Sequence, residues 1–152
     1  MTMSNLHNMQ RLQQVLETEI PITRLMEIRV QDYDGQQLVL AAPLAPNINH
    51  KSTAFGGSLY SLAVLNGWGL LYLKMQELEL NSHIVIFESS ILYHLPVKTD
   101  FVSVCKITDE RDWHRFQTVF RRKGRAKIRL LANILTNEGL AVSFQGTYVA
   151  HL

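Results

Sequence analysis

From Ser52 to Leu73 the chain carries no charged side chain. A run of that length is long enough to raise the question of a membrane span. Ser58, Ser61, Asn66, Gly67 and Gly69 interrupt it, and charged or polar stretches flank its single copy, which argues against one. A helix that is apolar all round and lies outside a bilayer has to be enclosed by protein. The remainder of the chain must therefore wrap one greasy helix, and mostly it has strands to do it with.

The flanking patterns fit that demand. Leu6, Met9, Leu12 and Leu16 recur at three and four residues after a candidate cap at Ser4, which predicts an amphipathic helix stopped by Pro21. Leu25 to Gln31 and Gln37 to Leu44 read as two strands around Asp34-Gly35, a hairpin signal. Pro43 and Pro46 break the ladder and open a polar loop carrying Asn47, Asn49 and His50. The long helix is expected from about Gly57 to Glu79. Beyond it, His83 to Val97, Phe101 to Thr108, Lys127 to Thr136 and Ala141 to His151 read as strands. Trp113, Phe116 and Phe120 predict a short helix between them, terminated by Gly124. Mainly antiparallel strands around one helix make an α+β arrangement, expected as one domain over residues 1–152.

Composition narrows the function classes. Apolar residues make up 47% and charged residues 18%, as in a compact protein rather than a disordered one. The net charge of +2 does not by itself call for nucleic acid. Cys105 is the only cysteine, so no intramolecular disulfide forms, and a buried hydrophobe is a simpler role for it than a nucleophile. The first twenty residues hold no signal-peptide core, and a cytoplasmic location is expected. The six histidines lack the close spacing of a helical metal site, so no metal is expected.

Chemistry concentrates where the polar loop meets the helix. Phe55-Gly56-Gly57 brings the chain into the helix with two residues that place no side chain between backbone and ligand. The first N–H groups of a helix have no partner inside it and carry the positive end of its dipole. A carbonyl oxygen gaining negative charge would be stabilised there, as in a polarised thioester or an enolate. Asn49, Gly56 and Gly57 are the candidate catalytic residues. Asn47, His50, Phe55, Ser58, Tyr60 and Ser61 are candidate substrate contacts. For the two asparagines the alternative is a turn role, for Ser58 a helix cap, and for Tyr60 packing.

Residues 43 to 73, together with Tyr93-His94-Leu95-Pro96-Val97 and Gly124-Arg125-Ala126-Lys127-Ile128, resemble the thioesterase-like domain that follows an acetyltransferase-like domain in some bacterial proteins and also occurs alone. The resemblance covers nearly the whole chain. It implies a hotdog fold, in which a curved antiparallel sheet wraps one central helix. It also implies a homodimer, or a dimer of dimers, whose sheets join edge to edge and whose sites lie at the subunit interface. Acyl thioesters of coenzyme A or acyl carrier protein are the implied substrates, with phosphopantetheine carried by the substrate and no cofactor of the protein's own. Some members of this group resemble malonyl-acyl carrier protein decarboxylases.

One departure bears on the reaction. Related phenylacetyl-CoA-type hotdog thioesterases show His-Gly-Gly at this turn and an acidic residue seven positions after the second glycine. Here Phe55 and Val64 stand at those places, and no Asp or Glu occurs between Asp34 and Glu77. Hydrolysis needs a base or a carboxylate nucleophile, which Glu88 of a partner subunit could supply, although an exposed strand glutamate is the simpler role for it. Decarboxylation of a malonyl group needs no base, only a site for the developing enolate oxygen. The missing acid favours decarboxylation, with hydrolysis and a non-catalytic carrier-binding role as alternatives. Arg121, Arg122, Lys123, Arg125, Lys127 and Arg129 form a basic cluster, of which Arg122 and Lys123 are candidates for contact with an acidic carrier protein or coenzyme A phosphates. A solvated turn is the alternative, and nucleic acid is not expected.

Overall fold

A computed structural model describes residues 1–152. Helix α1 (Met3–Glu19) is capped by Thr2, whose hydroxyl accepts from the Asn5 N–H at 3.1 Å, and Ser4 falls inside the helix rather than at its cap. Met9, Leu12 and Leu16 are its buried stripe. Pro21 ends it, but the residues that follow first form a single helical turn, α2 (Ile22–Leu25), where a strand was expected from Leu25. The buried Thr23 hydroxyl donates to the Leu16 carbonyl at 2.9 Å and holds that turn against α1. Strand β1 (Arg29–Tyr33) begins only after Glu27 has reversed the chain at a φ of 55°.

Strand β2 (Gln37–Ala42) returns antiparallel to β1. The Asp34 carboxylate accepts from the Gln36 and Gln37 amides at 2.8 and 2.7 Å, and Gly35 takes the positive φ of 95° that the turn needs. After the loop come the long helix α3 (Gly56–Glu77), β3 (His83–Tyr93), β4 (Phe101–Lys106), α4 (Glu110–Lys123), β5 (Arg125–Thr136) and β6 (Gly139–His151). Asp109 caps α4 through the Arg111 N–H, and Gly124 ends it in the left-handed conformation, at a φ of 67°. Strand β3 stops at Tyr93, short of Val97. Val97 is buried, and its carbonyl accepts from the Ala54 N–H at 2.8 Å, so the segment after β3 leaves the sheet to brace the loop before α3.

The six strands form one antiparallel sheet in the order β1-β2-β4-β5-β6-β3. Its inner face packs on α3, which touches every strand from β2 to β6. Along β5, Ala126, Ile128, Leu130, Ala132 and Ile134 point inward while Arg125, Lys127 and Arg129 point outward, the alternation of a half-buried strand. This is the hotdog fold, an α+β arrangement of curved sheet and central helix. No helix is long and apolar enough to cross a membrane.

Three polar contacts set how α3 sits on the sheet. Asn66, fully buried, donates to the Ser103 hydroxyl of β4 at 2.9 Å. The Tyr148 hydroxyl of β6 donates to the Val64 carbonyl at 2.7 Å, crossing the helix where Gly67 leaves no side chain. Near the other end of α3, Lys74 donates to the Gly35 carbonyl at 3.0 Å with its ammonium 5.3 Å from the Trp113 ring centre. Helix α4, which packs on β5, thus meets α3 at Lys74, while the first turn of α3 meets the Tyr93 end of β3.

Candidate active site at the first turn of the central helix

Phe55 occupies the N-cap position of α3 in extended geometry and offers no side-chain cap. Its carbonyl accepts from the Ser58 and Leu59 amides at 2.9 and 3.1 Å. Ser58 is therefore the third residue of the helix, not its cap. The Gly56 and Gly57 N–H groups meet no protein acceptor, and the first turn holds no acidic residue. Two free donors at the positive end of a 22-residue helix are thus presented by residues without side chains.

Two aromatic rings flank those donors. A Cβ placed on Gly57 would come 2.7 Å from the Phe55 ring, so this ring folds back over Gly57, about half exposed. A Cβ on Gly56 would lie 3.6 Å from the ring of Tyr93. The Tyr93 hydroxyl also donates to the Gly56 carbonyl at 3.0 Å, tying the end of β3 to the first turn of the helix. Burial, and then the neighbouring Tyr60, push the Tyr93 phenol above its ordinary pKa, so it stays a donor at neutral pH. One turn on, the Tyr60 and Ser89 hydroxyls lie 2.7 Å apart and Tyr60 packs edge-on against Phe144. Ser61 donates to the Gly57 carbonyl at 2.8 Å, within its own helix.

The loop before the helix is built by its asparagines in two different ways. Asn47 is 2% exposed, and its amide donates to the Met26 and Pro43 carbonyls at 2.9 and 2.8 Å. Its expected role as a substrate contact does not fit: the side chain is buried under the loop and fastens it to the α2–β1 connection. Asn49 is only partly buried. Its Oδ1 accepts from the Lys51 and Thr53 amides at 2.8 and 3.2 Å, and its Nδ2 donates to the Thr53 hydroxyl at 3.0 Å. The second Nδ2 proton has only the Ala54 carbonyl at 3.5 Å, a poor bond that a ligand oxygen could replace.

The structure thus gathers Phe55, Gly56, Gly57, Tyr60 and Ser61 at one place and sets Asn49 on the loop that leads into it. His50 is exposed in that loop and makes no hydrogen bond. Arg122 and Lys123 are not brought to the helix terminus. They end α4 just before Arg125, which pairs across the sheet with His151 and, beyond it, His83 at the end of β3 opposite Tyr93. Tyr93, Ser89 and Thr53 are additions that sequence reasoning did not supply. For Thr53 a signal existed, since Asn followed four residues later by Thr is compatible with a local side-chain turn. For Ser89 there was none, and for Tyr93 only its place in the resembling Tyr93–Val97 segment, because their partners lie 29 and 37 residues away.

Glu88 does not serve the site within one chain. It stands in register with Thr147 of β6, which pairs in turn with Arg129, whose side chain is on the outer face, whereas the adjacent Ser89 meets Tyr60 on the inner face. Asp100, the acid nearest in sequence beyond β3, accepts from the Leu44 amide at 2.8 Å at the base of the loop. No group of three His, Cys, Asp or Glu side chains is arranged to hold a metal ion.

Known proteins share this architecture. A protein of unknown function from Chlorobaculum tepidum TLS is 38% identical, with 93% of each chain covered and a TM-score of 0.90. A protein from Shewanella oneidensis described as a "putative thioesterase" is 29% identical over 96% of this chain and 98% of its own, with a TM-score of 0.83. The PaaI protein of the phenylacetic acid degradation operon of Escherichia coli shares the fold, at 13% identity and a TM-score of 0.68, over 96% of this chain and 94% of its own. Residues 9–152 match the model of the family described as "Putative thioesterase (yiiD_Cterm)", and the chain belongs to that family.

Proposed function

We propose that the first turn of α3 decarboxylates a malonyl thioester carried by acyl carrier protein or coenzyme A, yielding the acetyl thioester. The observation that carries this reading is the pair of unpartnered Gly56 and Gly57 amides in a turn without any acid. As the bond between the malonyl Cα and its carboxylate breaks, its electron pair moves into the thioester and the carbonyl oxygen becomes an enolate oxygen. Free helix amides stabilise that charge more than they stabilise the neutral carbonyl, which is the condition for lowering the barrier. Carbon dioxide leaves, and a proton from water completes the acetyl group. The Phe55 and Tyr93 rings stand beside the glycines, each about half exposed, and place apolar surface next to the malonyl carboxylate without adding a charge to hold it. The loosely bonded Nδ2 proton of Asn49 orients the malonyl group without adding a positive charge that would hold the carboxylate in place.

Hydrolysis is the second reading, and the family description favours it. It would require a base, which a second copy could bring if its Glu88 reached the site. Pairing of two copies along β3 is itself part of the proposal. It is supported by an edge strand on which Val85, Phe87, Leu92 and Tyr93 are exposed.

Mass spectrometry of malonyl-carrier protein and malonyl-CoA after incubation tests the reading. Acetyl thioester is expected. Free acid with free thiol would establish hydrolysis, and an unchanged substrate would leave a binding role alone. Asn49→Ala is expected to abolish most product formation while the chain stays folded. Asn49→Asp is expected to be at least as damaging to a decarboxylase, because a second negative charge would oppose the substrate carboxylate. In a hydrolase the same aspartate would act as a base and maintain turnover.

A further inference from the structure

We propose that Gln13 closes the β1 edge of the sheet, its side-chain amide standing where a neighbouring strand would lie, so that a second copy can extend the sheet only along β3. The sheet ends at β1 on one side and at β3 on the other. An edge strand presents a row of N–H and C=O groups ready to pair with another chain. The two edges of this sheet are left in different states.

At β1 the row is answered from within the chain. The Gln13 Oε1 accepts from the Val30 N–H at 2.7 Å, and the Gln13 Nε2 donates to the Ile28 carbonyl at 3.0 Å. Residues 28 and 30 flank Arg29, and one residue of a parallel strand lying opposite Arg29 would exchange the same pair of bonds. The other Nε2 proton goes to Glu17 Oε1 at 2.8 Å, and Glu17 also accepts from the Arg29 guanidinium at 2.9 Å. Both donors and the acceptor of the amide are therefore engaged, which holds it in one orientation. The buried Met9, Leu12 and Leu16 anchor α1, and α1 packs beside β1, which sets where Gln13 reaches. Past Val30 the register slips before Asp32. Such a bulge turns the rest of the edge away from a flat partner.

Strand β3 has no comparable cover. Of its backbone groups, only the Ile84 carbonyl meets a side chain, accepting from Trp68 Nε1 at 3.1 Å. This asymmetry decides how the sheet can grow. With both edges open, β3 of one copy could pair with β1 of the next, a head-to-tail contact that does not close and runs on into fibres. With β1 occupied, β3 can meet only another β3, and the pairing is complete at two copies. Gln13 thus acts on association and not on the reaction, and closure of β1 does not rest on the thioester reading.

Gln13→Leu keeps the bulk of the side chain and removes both strand-like bonds. Hydrogen exchange at the Val30 amide should quicken on the order of tenfold. On light scattering of the full chain, wild-type mass should level off with concentration. That of Gln13→Leu should keep rising, more than doubling between roughly 10 μM and 1 mM. Adding Val30→Pro removes the donor that an incoming strand needs and should restore the plateau. The proline also separates strand pairing from unfolding, since it would worsen aggregation of a weakened chain but stop growth at a β1 edge. A plateau for Gln13→Leu, unchanged exchange at Val30, or growth that Val30→Pro leaves unaltered or increases would overturn the proposal. None of these measurements uses a substrate, so their failure leaves malonyl-thioester decarboxylation to stand or fall by its own assay.

Discussion

The Tyr93 hydroxyl donates to the Gly56 carbonyl at 3.0 Å, so the end of an edge strand fixes the first peptide of the central helix. The peptide that bears this carbonyl also bears the Gly57 N–H, one of the two donors left without an acceptor. Whatever orients the Gly56 carbonyl therefore orients the Gly57 donor, and Tyr93 does so from outside the helix.

Removing only that hydroxyl separates orientation from packing. Tyr93→Phe keeps the ring beside Gly56 and loses one hydrogen bond, for about 1 kcal/mol of stability. In a chain of this size that corresponds to a melting point lower by roughly 2–4 °C. Turnover of malonyl thioester is expected to fall by about tenfold, with kcat carrying most of the loss, since the donor is misaimed in the transition state. Unchanged kcat would confine Tyr93 to packing.

Gly67 is expected to be the least replaceable position of α3. A Cβ there would collide with the Tyr148 hydroxyl and lie 2.5 Å from its Cζ, and Tyr148 is fully buried on β6 with nowhere to go. Gly67→Ala should cost about 3 kcal/mol through overpacking and loss of the bond to Val64. Urea unfolding measures this. Combining it with Tyr148→Phe, which deletes the nearest clashing atom, should recover part of the loss. Simple addition of the two single effects would show that the residues do not meet.

Much of this geometry was legible in the chain and some was not, for identifiable reasons. The uncharged stretch announced α3, and the Trp113, Phe116 and Phe120 spacing with Gly124 announced α4, because burial of one face is a local pattern. Asp34-Gly35 announced its hairpin because side chain and φ act within four residues. The single turn α2 was missed, since four residues are too few for periodicity and Thr23 is held by a bond to Leu16. At the site, the glycine pair was visible and the Tyr93 clamp was not. Asn47 and Asn49 look alike in sequence, and only the carbonyls of Met26 and Pro43, supplied by the fold, distinguish the buried one.

Alkaline pH should weaken the fold from a defined point. Burial pushes the Cys105 thiol up to about 12 from its ordinary 9.0. Above pH 9 the unfolded chain gives up this proton while the folded chain keeps it. The unfolded state then binds fewer protons, so stability falls as pH rises, by about 1.4 kcal/mol per unit until the folded thiol also ionises. Tyr33 and Tyr148, both raised first by burial, add the same sign at higher pH. Urea midpoints measured from pH 8 to 10 should decline, and Cys105→Ala should flatten the decline below pH 10. A thiol reagent should leave the native protein unlabelled at pH 8 and label it fully in denaturant.

The strand order has a consequence for how the molecule is made. Strand β3 pairs only with β6, and β6 lies between β3 and β5. During synthesis, residues 83–93 leave the ribosome well before Gly139–His151 and spend that interval with both edges unpaired. β1, β2, β4 and β5 can assemble in the meantime, because β4 and β5 meet partners already made or next in line. The Ser89 and Tyr93 contacts to the helix therefore depend on a strand translated last. Nascent chains stalled before Gly139 would present β3 to their neighbours on the same polysome, where a second copy is the nearest available edge.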